Sequence, residues 1–73
     1  MEDKIFYVLE LQTDVTGSCI PWAFGNMREA ESTFYAILSA AALSNVRRHG
    51  AVLMTEEGFV LKQEVFTHTV EAE

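Results

Sequence analysis

The chain has 73 residues, 49% of them hydrophobic, and carries eleven acidic residues against five Lys and Arg, a formal charge of −6. That balance argues against a nucleic-acid binder, whose affinity for phosphate comes from Lys and Arg displacing counterions, unless the chain mimics nucleic acid. One cysteine excludes an internal disulfide, and Cys19, His49 and His68 show no paired spacing for zinc, so no metal or cofactor is expected.

A single domain over residues 1–73 is the reading that this length allows. A domain so small buries only roughly 60% of the surface its unfolded chain exposes. With disulfide and metal set aside, either oligomerisation or a very well packed core must supply the rest. The N-terminus, Met1-Glu2-Asp3-Lys4, has neither the basic flank nor the small-residue cleavage site of a signal peptide. The longest strongly apolar run, Phe34 to Leu43, is broken by Ser39 and falls short of the roughly 20 residues a membrane span needs. A cytoplasmic protein is expected, and the lone cysteine suits a reducing compartment.

Taken in chain order, residues 4–12 alternate Ile5, Tyr7, Leu9 and Leu11 against Phe6, Val8, Glu10 and Gln12, the period of two of a first strand. Thr13 to Ser18 is a polar turn containing Gly17, and residues 19–24 form a second strand that Pro21, which has no N–H, assigns to a sheet edge. Gly25-Asn26 breaks the strand. Asn26 with Glu29 three residues on has the form of a capping box, and a helix follows over 27–44. Met27, Ala30, Phe34, Ile37, Leu38 and Ala41 form its core stripe, while Ser32, Ala36, Ala40 and Ser44 form a stripe of small residues on another side. Strands over 51–55 and 59–67 flank the turn Thr55-Glu56-Glu57-Gly58, and Val70 to Glu73 form an acidic tail expected to fray. The pattern is ββαββ, an α+β fold with an antiparallel four-stranded sheet and one helix across one face.

One helix covers only one face of such a sheet. With Ile5, Tyr7, Leu9 and Leu11 set toward the helix alongside Phe59, Leu61 and Val65, the open face would carry Phe6, Val8, Val60 and Phe66, with Val52 and Met54 or Leu53 close by. Glu10, Lys62, Glu64 and His68 would form its rim. A patch of that size reaches several hundred Å², around the largest found on ordinary monomers. The candidate interface is therefore Phe6, Val8, Met54, Val60 and Phe66, with Ala36 and Ala40 on the helix as a second surface.

Chemistry-bearing residues are few. Cys19 with His49 or His68 as base and Asp14 or Glu10 as orienter spells a thiol nucleophile; the plainer reading is a buried strand cysteine with histidines at element ends. Glu56 and Glu57 sit side by side on a turn and point apart, as solvated residues. Arg47-Arg48-His49, the one basic cluster, follows the helix end, where cations complement the dipole. Phe6 and Tyr7 point to opposite faces, so only one could stack on a base, which counts further against RNA. Trp22 is either a contact anchor or a closing residue under the helix N-terminus.

The runs Glu29-Ala30-Glu31-Ser32, Ala36-Ile37-Leu38-Ser39-Ala40-Ala41-Ala42 and His49 to Gly58 resemble a group of short uncharacterised proteins encoded in genomes and prophages of gut Firmicutes. The resemblance spans about residues 4 to 68 and implies a bacterial or phage origin and a small intracellular protein, with no active site to carry over. The expectation is a non-enzymatic protein that forms a homodimer and acts through protein–protein interaction. The alternatives are a nucleic-acid-related protein, as a weak binder through Arg47 and Arg48 or as an acidic mimic, and a small ligand binder or thiol enzyme around Cys19.

Overall fold

The computed structural model describes residues 4–68; the expected acidic tail at 70–73 lies outside them. The elements run β1 (Phe6–Thr13), β2 (Gly17–Phe24), α1 (Met27–Leu43), β3 (Arg48–Thr55) and β4 (Val60–Thr67). All four strands pair antiparallel in one sheet of order β2-β1-β3-β4, with the helix across one face. This is the ββαββ architecture that the hydrophobic periods indicate. Because β2 and β3 both run against β1, they are parallel to each other, and the helix is the crossover that returns the chain between them. Pro21 lies on β2, an edge strand, where its missing N–H is tolerated.

Local chemistry sets the helix limits. Asn26 is the N-cap, its Oδ1 accepting from the Glu29 N–H at 2.8 Å. At the other end Ser44 is the C-cap, donating its N–H to the Ala41 carbonyl at 3.2 Å. The His68 ring adds a second donor to that carbonyl, from Nε2 at 2.8 Å, so a histidine from the end of β4 satisfies the helix terminus. Arg47 and Arg48 lie beyond the last turn, which holds no basic residue.

Ala30, Phe34, Ile37 and Ala41 are the buried helix positions, spaced four, three and four residues apart as one face of a helix requires. The core cluster joins Ala30, Phe34 and Ile37 to Val8 of β1 and Ala51 and Leu53 of β3. Phe6, Trp22, Phe24, Met27 and Leu38 pack around it, so Trp22 closes the core. Beside this core, Lys62 Nζ stands 5.6 Å from the Tyr35 ring centroid and ties β4 to the helix. The Tyr35 side chain first, and the Glu31 carboxylate after it, raise the Lys62 amine above its ordinary value, against a lowering by desolvation.

Two backbone features fix β4. Gly58 takes φ +99° in the turn after Glu56-Glu57, its N–H bonded to the Thr55 carbonyl at 2.9 Å, which only glycine adopts without strain. At Gly50 the neighbouring strand comes so close that a Cβ would stand 2.6 Å from Val65 Cα and would overlap the Glu64 carbonyl oxygen. This glycine is therefore a strand residue, and β3 begins at Arg48, three residues before the start that the sequence suggests.

The orientation of the sheet corrects the sequence expectation. Val8 is completely buried beneath the helix, and Phe6 lies on the same side. Phe66 pairs with His49, whose alternate neighbours Ala51 and Leu53 are core residues, so Phe66 is on the helix side as well. Phe6, Val8 and Phe66 are thus not open-face residues, and Glu10, Lys62 and Glu64 go with them to the helix side. Ile5, Tyr7, Leu9 and Leu11 take the open side instead. Phe59, expected against the helix, is 70% exposed ahead of β4.

Candidate interaction surface on the open sheet face

The antiparallel register builds the open face row by row. Across the sheet, Tyr7 lies between Ala23 and Met54, Leu9 between Pro21 and Val52, and Leu11 between Cys19 and Gly50. On β4, Val65 pairs with Gly50 and Gln63 with Val52. A bulge shifts the register between Leu53 and Met54, so that Lys62 pairs with Leu53 while Val60 pairs with Met54. Leu61 is the additional residue, and Val60 and Leu61 together face Met54. Of the candidates read from the sequence, Met54 and Val60 belong to this surface, and Ala36 and Ala40 are exposed on the helix.

Several of these side chains remain in solvent: Tyr7 at 37%, Val60 at 51%, Leu61 at 44% and Val65 at 45%. Leu9, Leu11, Val52 and Met54 are half-buried by their neighbours on the sheet. Among the described residues the only charge on this face is Arg48, which pairs with Thr13 and Thr67 at one end. The acids lie elsewhere: Glu10 and Glu64 on the helix side, Glu29 and Glu31 on the helix, Asp14, Glu56 and Glu57 in turns. The sheet is amphipathic, with the acids of the described residues segregated from its apolar face.

Four strands at about 4.8 Å spacing and eight residues at about 3.3 Å each give a footprint of roughly 500 Å². Two such faces together reach about 1,000 Å² before side-chain relief is counted, the lower bound for a specific protein–protein interface. The chain matches no protein-family model, no curated protein and no solved structure. Among the described residues no helix is long and apolar enough to cross a membrane.

The residues with possible chemistry sort onto different sides. Cys19 is exposed on β2 and pairs with Leu11 on the open face, whereas His49 lies on the helix side, so no Cys–His dyad forms. The cysteine is exposed, and the buried strand position read from the sequence does not hold. His49 is 5% exposed and lies between Glu10, whose Oε2 is 2.6 Å from Nε2, and Ser44, whose Oγ is 2.8 Å from Nδ1. A carboxylate only accepts, so Nε2 carries the proton toward Glu10. Nδ1 then accepts from the Ser44 hydroxyl while the ring is neutral and donates to it when the ring is charged. Gln12 Nε2 donates to the same carboxylate oxygen at 3.1 Å, and the Val46 N–H donates to Ser44 Oγ at 3.3 Å. Ser44, His49 and Glu10 repeat the connectivity of a nucleophile, base and orienter. They nonetheless lie at a helix C-terminus, whose carbonyl dipoles oppose a developing oxyanion. The network serves to fasten the helix end to β1 and β3. No described buried side-chain N or O atom lacks a partner.

The sequence missed Tyr7, Leu9, Leu11, Leu61 and Val65 as surface residues, and Val52 lies on the face it was expected beside. On β1 their signal was present as an uninterrupted apolar set at every second position, whereas on β4 Gln63 interrupts it between Leu61 and Val65. The same signal suits a buried face equally well.

Proposed function

We propose that this chain is a small non-enzymatic protein that works through protein–protein contact, and that a second copy of the chain covers the open sheet face. One observation carries the reading: a face of about 500 Å² with a single charged residue among the described ones, on a chain of net charge −6. A partner recognised by ion pairs would find almost nothing there to pair with. An identical apolar face is complementary to it by composition, and a two-fold axis sets the same patch against itself. Of the acids in the described residues, Glu10, Glu29, Glu31 and Glu64 of two copies joined in this way stay on the outer, helix-bearing sides, and Asp14, Glu56 and Glu57 lie at the ends of the face.

The size of the chain supports the same reading, since a 73-residue domain gains most from additional burial. A reducing compartment such as the cytoplasm suits an exposed free thiol on this face. Mimicry of nucleic acid would be favoured by ordered rows of acids; among the described residues the acids are divided between the helix, two turns and two strands. Thermal unfolding followed by circular dichroism over a hundredfold range of protein concentration tests the proposal. Folding coupled to dimerisation predicts a Tm that rises with concentration. A Tm independent of concentration, with the open face still accessible to solvent probes, contradicts it.

A further inference from the structure

The two ends of the open face differ in charge, and this difference selects one geometry for the pair of copies. At one end β3 starts with Arg48, beside exposed Arg47 and across the sheet from the turn that carries Asp14. At the other end β3 leads into Glu56 and Glu57, with Lys4 just ahead of β1. Among these described residues each end holds two charges of one sign against one of the other, positive at the Arg48 end and negative at the Glu57 end. Glu56 Oε1 already accepts from the Ile5 N–H at 3.0 Å, whereas Glu57 is exposed at the turn.

Identical faces meet about a two-fold axis lying in the plane between them, and two settings keep the strands aligned, as packed sheets prefer. An axis parallel to the strands places like ends together, Arg48 beside Arg48. An axis perpendicular to the strands lays each strand over its own counterpart with direction reversed, so the start of β3 in one copy meets the end of β3 in the other. We infer that the copies adopt the second setting, with Arg48 of each opposite Glu57 of the other and the apolar rows of Tyr7, Leu9 and Leu11 between the two charged ends. This rests on the self-association proposed above. It adds the orientation, and it gives the lone charge of the face a partner at the rim, where ion pairs set register and exclude wrong arrangements more than they add affinity.

Single-cysteine variants distinguish the settings in a Cys19→Ser background. Residues 48 and 57 of one chain stand about 26 Å or more apart along β3, from eight residues at about 3.3 Å each, so a disulfide between those positions joins two chains. Mild oxidation of Arg48→Cys mixed with Glu57→Cys is expected to give the covalent heterodimer, and either variant alone is expected to give little. Cross-linking of Arg48→Cys with itself would overturn the inference in favour of the parallel setting. A Cys19→Ser parent that sediments as a monomer would instead overturn the self-association beneath it. Charge reversal is the second readout: Arg48→Glu should weaken dimerisation roughly tenfold across its two symmetric pairs, and adding Glu57→Arg should restore it. A dimer indifferent to Arg48→Glu, or one that the double exchange fails to rescue, also refutes the pairing.

Discussion

Adjacent residues on β1 allow the sharpest contrast, because Val8 and Leu9 point to opposite faces of one strand. Val8 is fully buried in the core, while Leu9 is half-buried at the middle of the open face between Pro21 and Val52. Leu9→Glu should therefore leave the monomer folded, at a cost of about 1 kcal/mol for placing a poor strand former in a strand. In the dimer each copy loses only the burial still open to a half-buried leucine, about half of the roughly 1.5–3 kcal/mol of full burial, and two-fold symmetry counts it twice, about 1.5–3 kcal/mol in all. At about 1.4 kcal/mol per factor of ten, the dimer Kd should rise by one to two orders of magnitude. Val8→Glu places a carboxylate without a partner under the helix, a penalty of several kcal/mol against a total stability of about 4–11 kcal/mol for a chain of this length, and should unfold the protein. Sedimentation equilibrium reads the first effect and far-ultraviolet circular dichroism the second. The reasoning is refuted if Leu9→Glu unfolds as completely as Val8→Glu, or if it dimerises as tightly as the parent.

Other positions test separate parts of the structure. Gly50→Ala forces a Cβ against Val65 and the Glu64 carbonyl and should cost about 1–3 kcal/mol or more in urea unfolding; a neutral result would mean that β4 does not approach β3 as closely as described. His49→Ala leaves the Glu10 carboxylate without its main partner and should destabilise by about 1.5–3 kcal/mol, whereas Asn26→Ala should cost about 1 kcal/mol through loss of the cap to the Glu29 N–H. Cys19, exposed on the open face, should react with a thiol reagent readily in dilute solution and more slowly as concentration rises through the dimerisation range. A labelling rate independent of concentration would place that edge of the face outside any interface.

The helix was legible because its burial follows a single period: Ala30, Phe34, Ile37 and Ala41 need only 3.6 residues per turn to be found. The hairpin turns were legible for a similar reason, since Gly58 marks a positive φ and Pro21 marks an edge. Parity within each strand was also plain, but the face that each parity meets was not. In β1 the odd set is wholly apolar, whereas the even set contains Glu10 and Gln12, so a burial rule alone sends the odd set to the core. In the folded chain His49 of β3, held by Ser44 at the helix end, and Gln12 reach Glu10, and the even set can face inward because its polar members are satisfied. Glu10 and His49 are 39 residues apart, a pairing visible only once the β1–β3 register is known. The side of the sheet that a crossover helix covers follows from strand order and handedness, neither of which periodicity contains. A choice of face reverses the whole sheet at once, which is why Phe6, Val8 and Phe66 changed places with Tyr7, Leu9 and Val65 as one group.

Sedimentation equilibrium of the unmodified chain over micromolar to millimolar concentration tests the central claim most directly. The open apolar face predicts a reversible species of twice the 8.2 kDa chain mass that dissociates on dilution. A folded species of 8.2 kDa across the whole range would contradict it.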